Sequence, residues 1–345
     1  MSVRVAIIGT GVMGADHAKI LASDVPGAIL QVICDANEAR ARELGDQLGA
    51  AHVLTDPIEA LSRTDVDAVL IASPDNTHAD LTIAAVAAGK HVLCEKPLAP
   101  TSQESLRVIE AESRLGERRV HVGFMRRFDP AYGAMKSAME DGVVGDALMI
   151  HNFHRNVTAP EWFTGEMAIS NSAPHEFDIC RFVLGSEYVS VIAVQMPSKN
   201  AIAPVFLVLK TADGQMVNIE VNNNAAYGYD VRCELVGSTG SVDLKAPVHA
   251  TYNASLKSVQ RFDADWRPRF ADAYRLQNKA WINGISRGAT DPRLANAWDG
   301  LCSTLVAEAG VVSLQTGTWQ PVSSLDVPAL YQKEKENSSL MRQAK

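Results

Sequence analysis

Gly9-Thr10-Gly11-Val12-Met13-Gly14 have the residue types and spacing to hold a pyrophosphate. Gly9 permits a tight turn out of a strand, Gly11 lets the backbone approach a phosphate without a Cβ in the way, and Gly14 lets the following helix pack close. That helix, opening near Gly11, aims the free N–H groups around Val12 and Met13 and its positive dipole end at the phosphates. The fingerprint requires an acidic residue about 20 positions on. Asp35 supplies it, directly after the apolar run Ala28–Cys34. A carboxylate there accepts hydrogen bonds from both ribose hydroxyls of NAD and repels the 2′-phosphate of NADP, so NAD is the expected cofactor. Asn37, Arg40 and Arg42 lie just beyond, and an arginine among them leaves NADP as the alternative.

Two further clusters have acid–base chemistry in them. Glu95-Lys96-Pro97 follows the apolar run His91–Cys94. It reads either as a solvated ion pair at a strand end or as a lysine and glutamate delivered to the functional edge of a sheet, where proline sets the turn. In Asn171-Ser172-Ala173-Pro174-His175-Glu176-Phe177-Asp178, Ser172 or Asn171 is suited to an N-cap and Pro174 to a first helical turn. His175 then lies in the first turn of a helix running to Leu184. Histidine titrates near neutrality and suits general-base work on an alcohol, with a nearby lysine cation stabilising the alkoxide. The competing reading is a structural histidine satisfied by the helix end.

The elements that must position these groups follow from hydrophobic periodicity. Val3–Ile8 is a β-branched run suited to a strand buried on both faces. Helix Glu38–Leu48, short strand Ala51–Leu54, strand Val66–Ala72, helix Ala79–Ala88 and helix Ser102–Leu115 continue an alternating α/β pattern as far as strand Val120–Phe124. The turn Ser73-Pro74-Asp75-Asn76-Thr77-His78 falls at the carboxyl edge, where ligands of open α/β sheets bind. From Ala147 the period changes to two. Strands are expected through Leu148–Asn156, Val189–Val194, Pro204–Lys210, Met216–Asn222, Val231–Val236 and Gly240–Leu244, followed by helices Phe270–Ile285 and Asn296–Leu314.

The chain has 345 residues, 47% of them hydrophobic and 21% charged, with a net charge of −8. That is a globular composition of two-domain size. The negative balance argues against a nucleic-acid or anionic-membrane partner. No apolar run is long enough to span a bilayer and Met1-Ser2 leads straight into a strand, so a cytoplasmic protein is expected. Five scattered cysteines without C-x-x-C spacing read as reduced core residues, not a metal site or disulfide frame.

Glu95-Lys96-Pro97 after this fingerprint resembles the family of glucose–fructose oxidoreductase and inositol 2-dehydrogenase, and the turn from Ser73 to His78 is similar to its A-T-P-N-x-x-H turn. Met125-Arg126-Arg127-Phe128-Asp129-Pro130, His154-Arg155-Asn156 and Tyr227-Gly228-Tyr229-Asp230 resemble its inositol dehydrogenase branch. The resemblance implies that Lys96 reaches the reacting carbinol, that Glu95 and His78 border the nicotinamide beside Ser73, and that His175 is the base. It implies substrate contacts from Asn156, His154 and Tyr229. Arg127, with Arg126 and Asp129, reads equally as a polyol-binding set or as an interdomain ion-pair set. The inositol dehydrogenases place aspartate four residues before this histidine, where this chain has Asn171. Asn171 orients the imidazole or binds a hydroxyl without bringing a charge; Glu176 or Asp178 is a candidate substitute.

The expected fold class is α/β. A Rossmann dinucleotide-binding domain over 1–124 precedes an α+β domain over 125–331 with a large, mainly antiparallel open sheet, and a charged tail spans 332–345. The expected function is NAD-dependent oxidation of a secondary hydroxyl of a cyclic polyol, an inositol or a pyranose sugar. The alternatives are a sugar or aldehyde reductase using NADP(H) and a non-catalytic dinucleotide-binding regulatory protein. In the family the wide sheet is buried against partner subunits, which implies a homo-oligomer, tetramer or dimer.

Overall fold

The computed structural model describes residues 2–198, 202–244 and 251–332, so the charged tail past Gln332 lies outside the described residues. Two compact units form. The first combines Met1–Phe124, Tyr274–Thr304 and the chain from Ser324 on; the second combines Met125–Ala273 and Leu305–Ser323. In chain order the elements are β1 (Val3–Ile8), α1 (Val12–Ser23), β2 (Ala28–Cys34), α2 (Glu38–Leu48), β3 (His52–Leu54), α3 (Pro57–Ser62), β4 (Ala68–Ile71), α4 (His78–Ala87), β5 (His91–Cys94), α5 (Ser102–Leu115) and β6 (Val120–Val122). Then come α6 (Pro130–Glu140), β7 (Ala147–Arg155), α7 (Gly165–Met167), α8 (Pro174–Leu184), β8 (Tyr188–Gln195), β9 (Val205–Thr211), β10 (Met216–Asn222), β11 (Asp230–Gly237) and β12 (Ser241–Leu244). Hairpin β13 (Thr251–Ala254) and β14 (Lys257–Gln260), helix α9 (Trp266–Arg287), β15 (Ala295–Asn296), α10 (Ala297–Thr316) and β16 (Gln320–Pro321) complete the list.

The first unit holds a sheet of order β15-β6-β5-β4-β1-β2-β3, parallel except for β15 against β6. Val5, Ala6, Ile7 and all of β4 are buried, as strands covered on both faces must be. Strand order reverses at β1, between β4 and β2, so the carboxyl ends of β1 and β4 flank the crevice where such sheets take ligands. This is the Rossmann arrangement.

The second unit holds a sheet of order β12-β11-β7-β10-β9-β8-β16. It is antiparallel apart from β7 and β10, which run parallel because α8, β8 and β9 intervene and return the chain. Alternation is clean: in β9, Val205, Leu207 and Leu209 are buried and Phe206 and Lys210 exposed. The chain is thus a Rossmann fold joined to a mixed α/β unit with a large, mainly antiparallel sheet.

Several local features depart from the sequence pattern. Helix α6 was signalled only by Asp129, which caps the amides of Ala131 and Tyr132, and by Pro130 in its first turn. Neither Ser172 nor Asn171 is the N-cap of α8. The chain enters through a π-helical turn, Ala168–Ser172, and Ala173 stands at the cap in a helical conformation with no side-chain cap bond. Helix α9 begins four residues earlier than its apolar period and kinks at Phe270.

Candidate active site

In the first unit β1 delivers the chain to Gly9, whose φ is +91°, and a Cβ there would lie 2.6 Å from Ala72 O. A Cβ on Gly14 would overlap Gly9 O, while one on Gly11 would meet nothing within 4 Å. That face is open enough for a phosphate to approach the backbone. Helix α1 starts at Val12 with no side-chain cap, leaving its first amides to an anion.

Asp35 stands at the end of β2. Its Oδ2 accepts from Thr10 N at 2.7 Å and Thr10 Oγ1 at 2.8 Å, and its Oδ1 accepts from Asn37 N at 2.8 Å. Arg40 Nη2 reaches both oxygens, at 2.8 and 2.9 Å. Burial raises the pKa of this carboxyl, but the Asn37 and Thr10 amides and the Arg40 guanidinium outweigh it and hold the pKa down to about 2. An ionised acceptor at the end of β2, together with the open glycine turn, fits the ribose and pyrophosphate of NAD.

At the ends of β4 and β5, His78 is buried with Nδ1 2.7 Å from Pro97 O and Nε2 2.9 Å from Ser73 O, tying the two ligand-edge turns together. Burial opposes charge on this ring, but the Cys94 sulfur, the Pro97 carbonyl and Asp75 lift its pKa to about 10. Glu95 is also buried. Its Oε1 lies 2.8 Å from His17 Nε2 and its Oε2 accepts from Lys96 N at 3.1 Å. His17, on α1, receives Asn278 Nδ2 of α9 at Nδ1, 2.9 Å away, and the Tyr274 ring packs edge-on at 5.5 Å between centroids. Burial pushes the Glu95 pKa up, but the bond and charge of His17, with Lys96, bring it below the ordinary value. The peptide between Lys96 and Pro97 is cis.

A cavity of about 350 Å³ lies at the opposite edge of this sheet, among Asp67, Lys90, His91 and Arg119. Lys90 and Arg119 are engaged there by the Val66 and Gly89 carbonyls and by Glu117.

In the second unit, His175 sits in the first turn of α8, buried, four residues after the exposed Asn171. Glu176 is fully buried and engaged elsewhere: Oε1 pairs with Arg126 and Oε2 lies 2.9 Å from His154 Nδ1. Burial raises the Glu176 pKa, and the Arg126 and His154 contacts more than reverse that. Asp178 takes both Arg127 Nε, at 2.8 Å, and Arg127 Nη2, at 2.5 Å, with the guanidinium 4.8 Å over the Phe182 ring. Asp129 pairs with Arg269 at 2.5 Å. The three pairs form within one unit.

Beside Glu176, the fold gathers His154, Asn156 and Tyr229 from β7, the residue after β7 and the residue before β11. Asn156 Nδ2 lies 3.4 Å from His154 Nε2 and donates to Asn223 Oδ1 at 2.7 Å; Ser172 Oγ donates to the same oxygen at 3.3 Å. Tyr229 is buried, edge-on to His154 at 6.2 Å and to Phe270 at 6.4 Å. Burial, against Arg126, pushes its phenol up to about 12, so it stays protonated as a donor. Tyr227 instead is half exposed, bonded to Arg155 and Asp230. His17, Asn278 and Asn223 escape sequence reading. His17 follows Gly14 by one helical turn, a signal on the page, whereas Asn278 and Asn223 have none.

These features define a class, an NAD-binding oxidoreductase with a second, polar-lined unit. Residues 3–124 match the description "Oxidoreductase family, NAD-binding Rossmann fold" and residues 132–243 match "GFO/IDH/MocA C-terminal domain". Inositol 2-dehydrogenase 1 of Saccharopolyspora erythraea is 46% identical over 338 residues, covering 96% of this chain and 99% of its own. Inositol 2-dehydrogenase 2 of Paenarthrobacter aurescens is 42% identical over 341 residues, 94% of this chain and 99% of its own. The crystal structure of myo-inositol dehydrogenase from Lactobacillus casei in complex with NAD(H) and myo-inositol has a TM-score of 0.91 at 26% identity, covering 96% of this chain and all of the other. The chain belongs to the GFO/IDH/MocA oxidoreductase family. Its cofactor is NAD.

Proposed function

We propose that this enzyme, an NAD-dependent oxidoreductase acting on CH–OH donors, oxidises a secondary hydroxyl of a cyclic polyol, an inositol or a pyranose sugar, to a ketone in the manner of an inositol 2-dehydrogenase. The observation that carries this reading is the 46% identity to an inositol 2-dehydrogenase across nearly the whole of both chains. Lys96, His175, His154, Asn156 and Tyr229 are all present to serve it.

In this proposal Gly9, Gly11, Val12, Met13, Gly14 and Asp35 hold the dinucleotide, with Ser73, His78, Glu95 and Lys96 along the nicotinamide edge. Bound NAD supplies the acceptor for the hydride that leaves the carbinol carbon. His175 takes the hydroxyl proton onto an imidazole nitrogen as the C=O bond forms. The Lys96 ammonium stabilises the alkoxide oxygen, and Asn171 orients the ring or a hydroxyl. Arg127, His154, Asn156 and Tyr229 bind the remaining hydroxyls. Lys96 belongs to the first unit and His175 to the second.

Arg40, within 2.8 Å of Asp35, is the one feature that favours an NADP(H)-using reductase. The ionised Asp35 weighs against it. A cytoplasmic location belongs to the same reading, supported by five free cysteines. So does a homo-oligomer: Val194 and Phe206, paired across β8 and β9, are both about half exposed on the open sheet face.

The test is absorbance of reduced nicotinamide with a panel of inositol isomers and pyranoses, each with NAD and NADP, and of aldehydes with NADH and NADPH. Turnover of an inositol with NAD is expected. Turnover only of aldehydes with NADPH would replace the proposal by the reductase reading, and inertness with tight NAD binding by the regulatory one.

A further inference from the structure

We propose that Arg40 is an internal competitor for the cofactor: its guanidinium holds the two acceptor positions on Asp35 that the ribose diol of NAD takes, and yields them when NAD binds. Arg40 thereby sets how sharply the enzyme tells NAD from NADP. The inference rests on the reading of Asp35 as the ribose acceptor and is independent of the polyol.

Asp35 has no acceptor position to spare. A carboxylate offers about four lone-pair sites on its two oxygens, and five contacts converge on them here. Oδ2 takes Thr10 N at 2.7 Å, Thr10 Oγ1 at 2.8 Å and Arg40 Nη2 at 2.9 Å, while Oδ1 takes Asn37 N and Arg40 Nη2, each at 2.8 Å. Two ribose hydroxyls that donate to this carboxylate must therefore displace donors already on it.

The donors differ in how readily they leave. Thr10 N and Asn37 N are backbone amides, held by the turn after β1 and by the entry to α2, where Asn37 is the N-cap and its Oδ1 accepts from Arg40 N at 3.1 Å. The Thr10 hydroxyl is buried and touches Oδ2 but not Oδ1, so turning it away frees one position. Arg40 Nη2 bridges the two oxygens, as a vicinal diol does with one O–H on each. Its departure frees both positions at once.

Leaving costs Arg40 little. Its side chain is 52% exposed and that of Asp35 only 7%, so the guanidinium passes into water while the carboxylate stays among its remaining donors. Arg40 stands in the first turn of α2, where the positive end of the helix dipole repels a cation. Its tie to Thr10 Oγ1, from Nε at 3.2 Å, is the longest bond of the set. A half-exposed pair of this kind contributes little, so the competition lowers NAD affinity without blocking the site.

The effect has opposite signs for the two dinucleotides. Removing Arg40 opens Asp35 to the diol and favours NAD. It disfavours NADP, because the tethered guanidinium is the counter-charge to a 2′-phosphate that otherwise meets the Asp35 carboxylate alone.

Isothermal titration calorimetry of NAD and of NADP reads both effects on wild type, Arg40→Met, Arg40→Lys, Asp35→Asn and the Arg40→Met, Asp35→Asn double variant. Arg40→Met keeps the length and removes the charge; it should tighten NAD about fivefold and weaken NADP about fivefold. Arg40→Lys, a cation with no fork, should tighten NAD and hold NADP near its wild-type affinity. In the Asp35→Asn background Arg40→Met should leave NAD affinity unchanged, whereas a merely structural part in α2 would persist there. Unchanged or weaker NAD binding by Arg40→Met, or equal shifts for both dinucleotides, would overturn the inference with the Asp35 reading intact. Asp35→Asn binding NAD as tightly as wild type would end the Asp35 reading itself.

Discussion

His17 Nε2 lies 2.8 Å from Glu95 Oε1 with both side chains buried, joining the helix that follows the pyrophosphate turn to the turn that presents Lys96. Asn278 Nδ2 lies 2.9 Å from His17 Nδ1, so the ring is held at both nitrogens, by the carboxylate on one side and the carboxamide on the other.

Removing that imidazole leaves Glu95 ionised and unsatisfied on one oxygen. His17→Ala should therefore cost about 2 kcal/mol of stability, and His17→Gln, which keeps a donor at similar reach, should cost less. Urea unfolding of the three proteins reads the difference. Equal midpoints for Ala and wild type would mean the bond contributes nothing.

Asp35 carries the cofactor prediction. Its pKa of about 2 lies below the ordinary 3.8, so its contribution to stability is fully present above pH 3.8 and is lost as pH falls through about 2. From neutrality to pH 5 the affinity for NAD should accordingly show no titration from this group. Asp35→Asn should raise KM for NAD about tenfold, and fluorescence titration of the reduced cofactor checks it.

Lys96→Met and His175→Ala should each lower kcat at least about a hundredfold with NAD affinity retained. Undiminished turnover in both would refute their roles. Asn171→Asp tests the departure at that position. A carboxylate that stabilises the imidazolium should raise kcat by up to about tenfold, one pKa unit's worth of interaction, with the gain largest at high pH, because the same carboxylate holds a proton on the base as pH falls.

The open sheet face predicts self-association. Light scattering after size exclusion should find a dimer or tetramer, and Phe206→Lys with Val194→Lys should shift it toward the monomer. A wild-type monomer at micromolar concentration would remove the surface from consideration.

Where side-chain period and turn chemistry are local, the elements were legible in the sequence. β2, α2, β5 and α5 end where their runs end, because a buried parallel strand needs an unbroken apolar run and each following helix begins and stops on a capping residue. The entry to α8 was not. Asn171 and Ser172 have capping side chains, but a π-helical turn carries the chain into the helix already in helical geometry, so no cap is needed. Hairpin β13 and β14 has only Tyr252 and Val259 as large apolar side chains, paired with each other and both about half exposed, too few to announce two strands.

The dinucleotide turn, its carboxylate, the Glu95-Lys96 turn and the first-turn histidine of α8 could be read before folding, because each is a matter of short spacing along one strand, turn or helix. Packing chose what holds them: Glu95 is held by His17, 78 residues away, and His17 by Asn278, 261 residues away. It also gave Glu176 to Arg126 and His154, leaving the neighbouring His175 to other partners. A buried polar group must find its hydrogen-bond partner wherever packing brings one within about 3 Å, and that distance is not written in chain order.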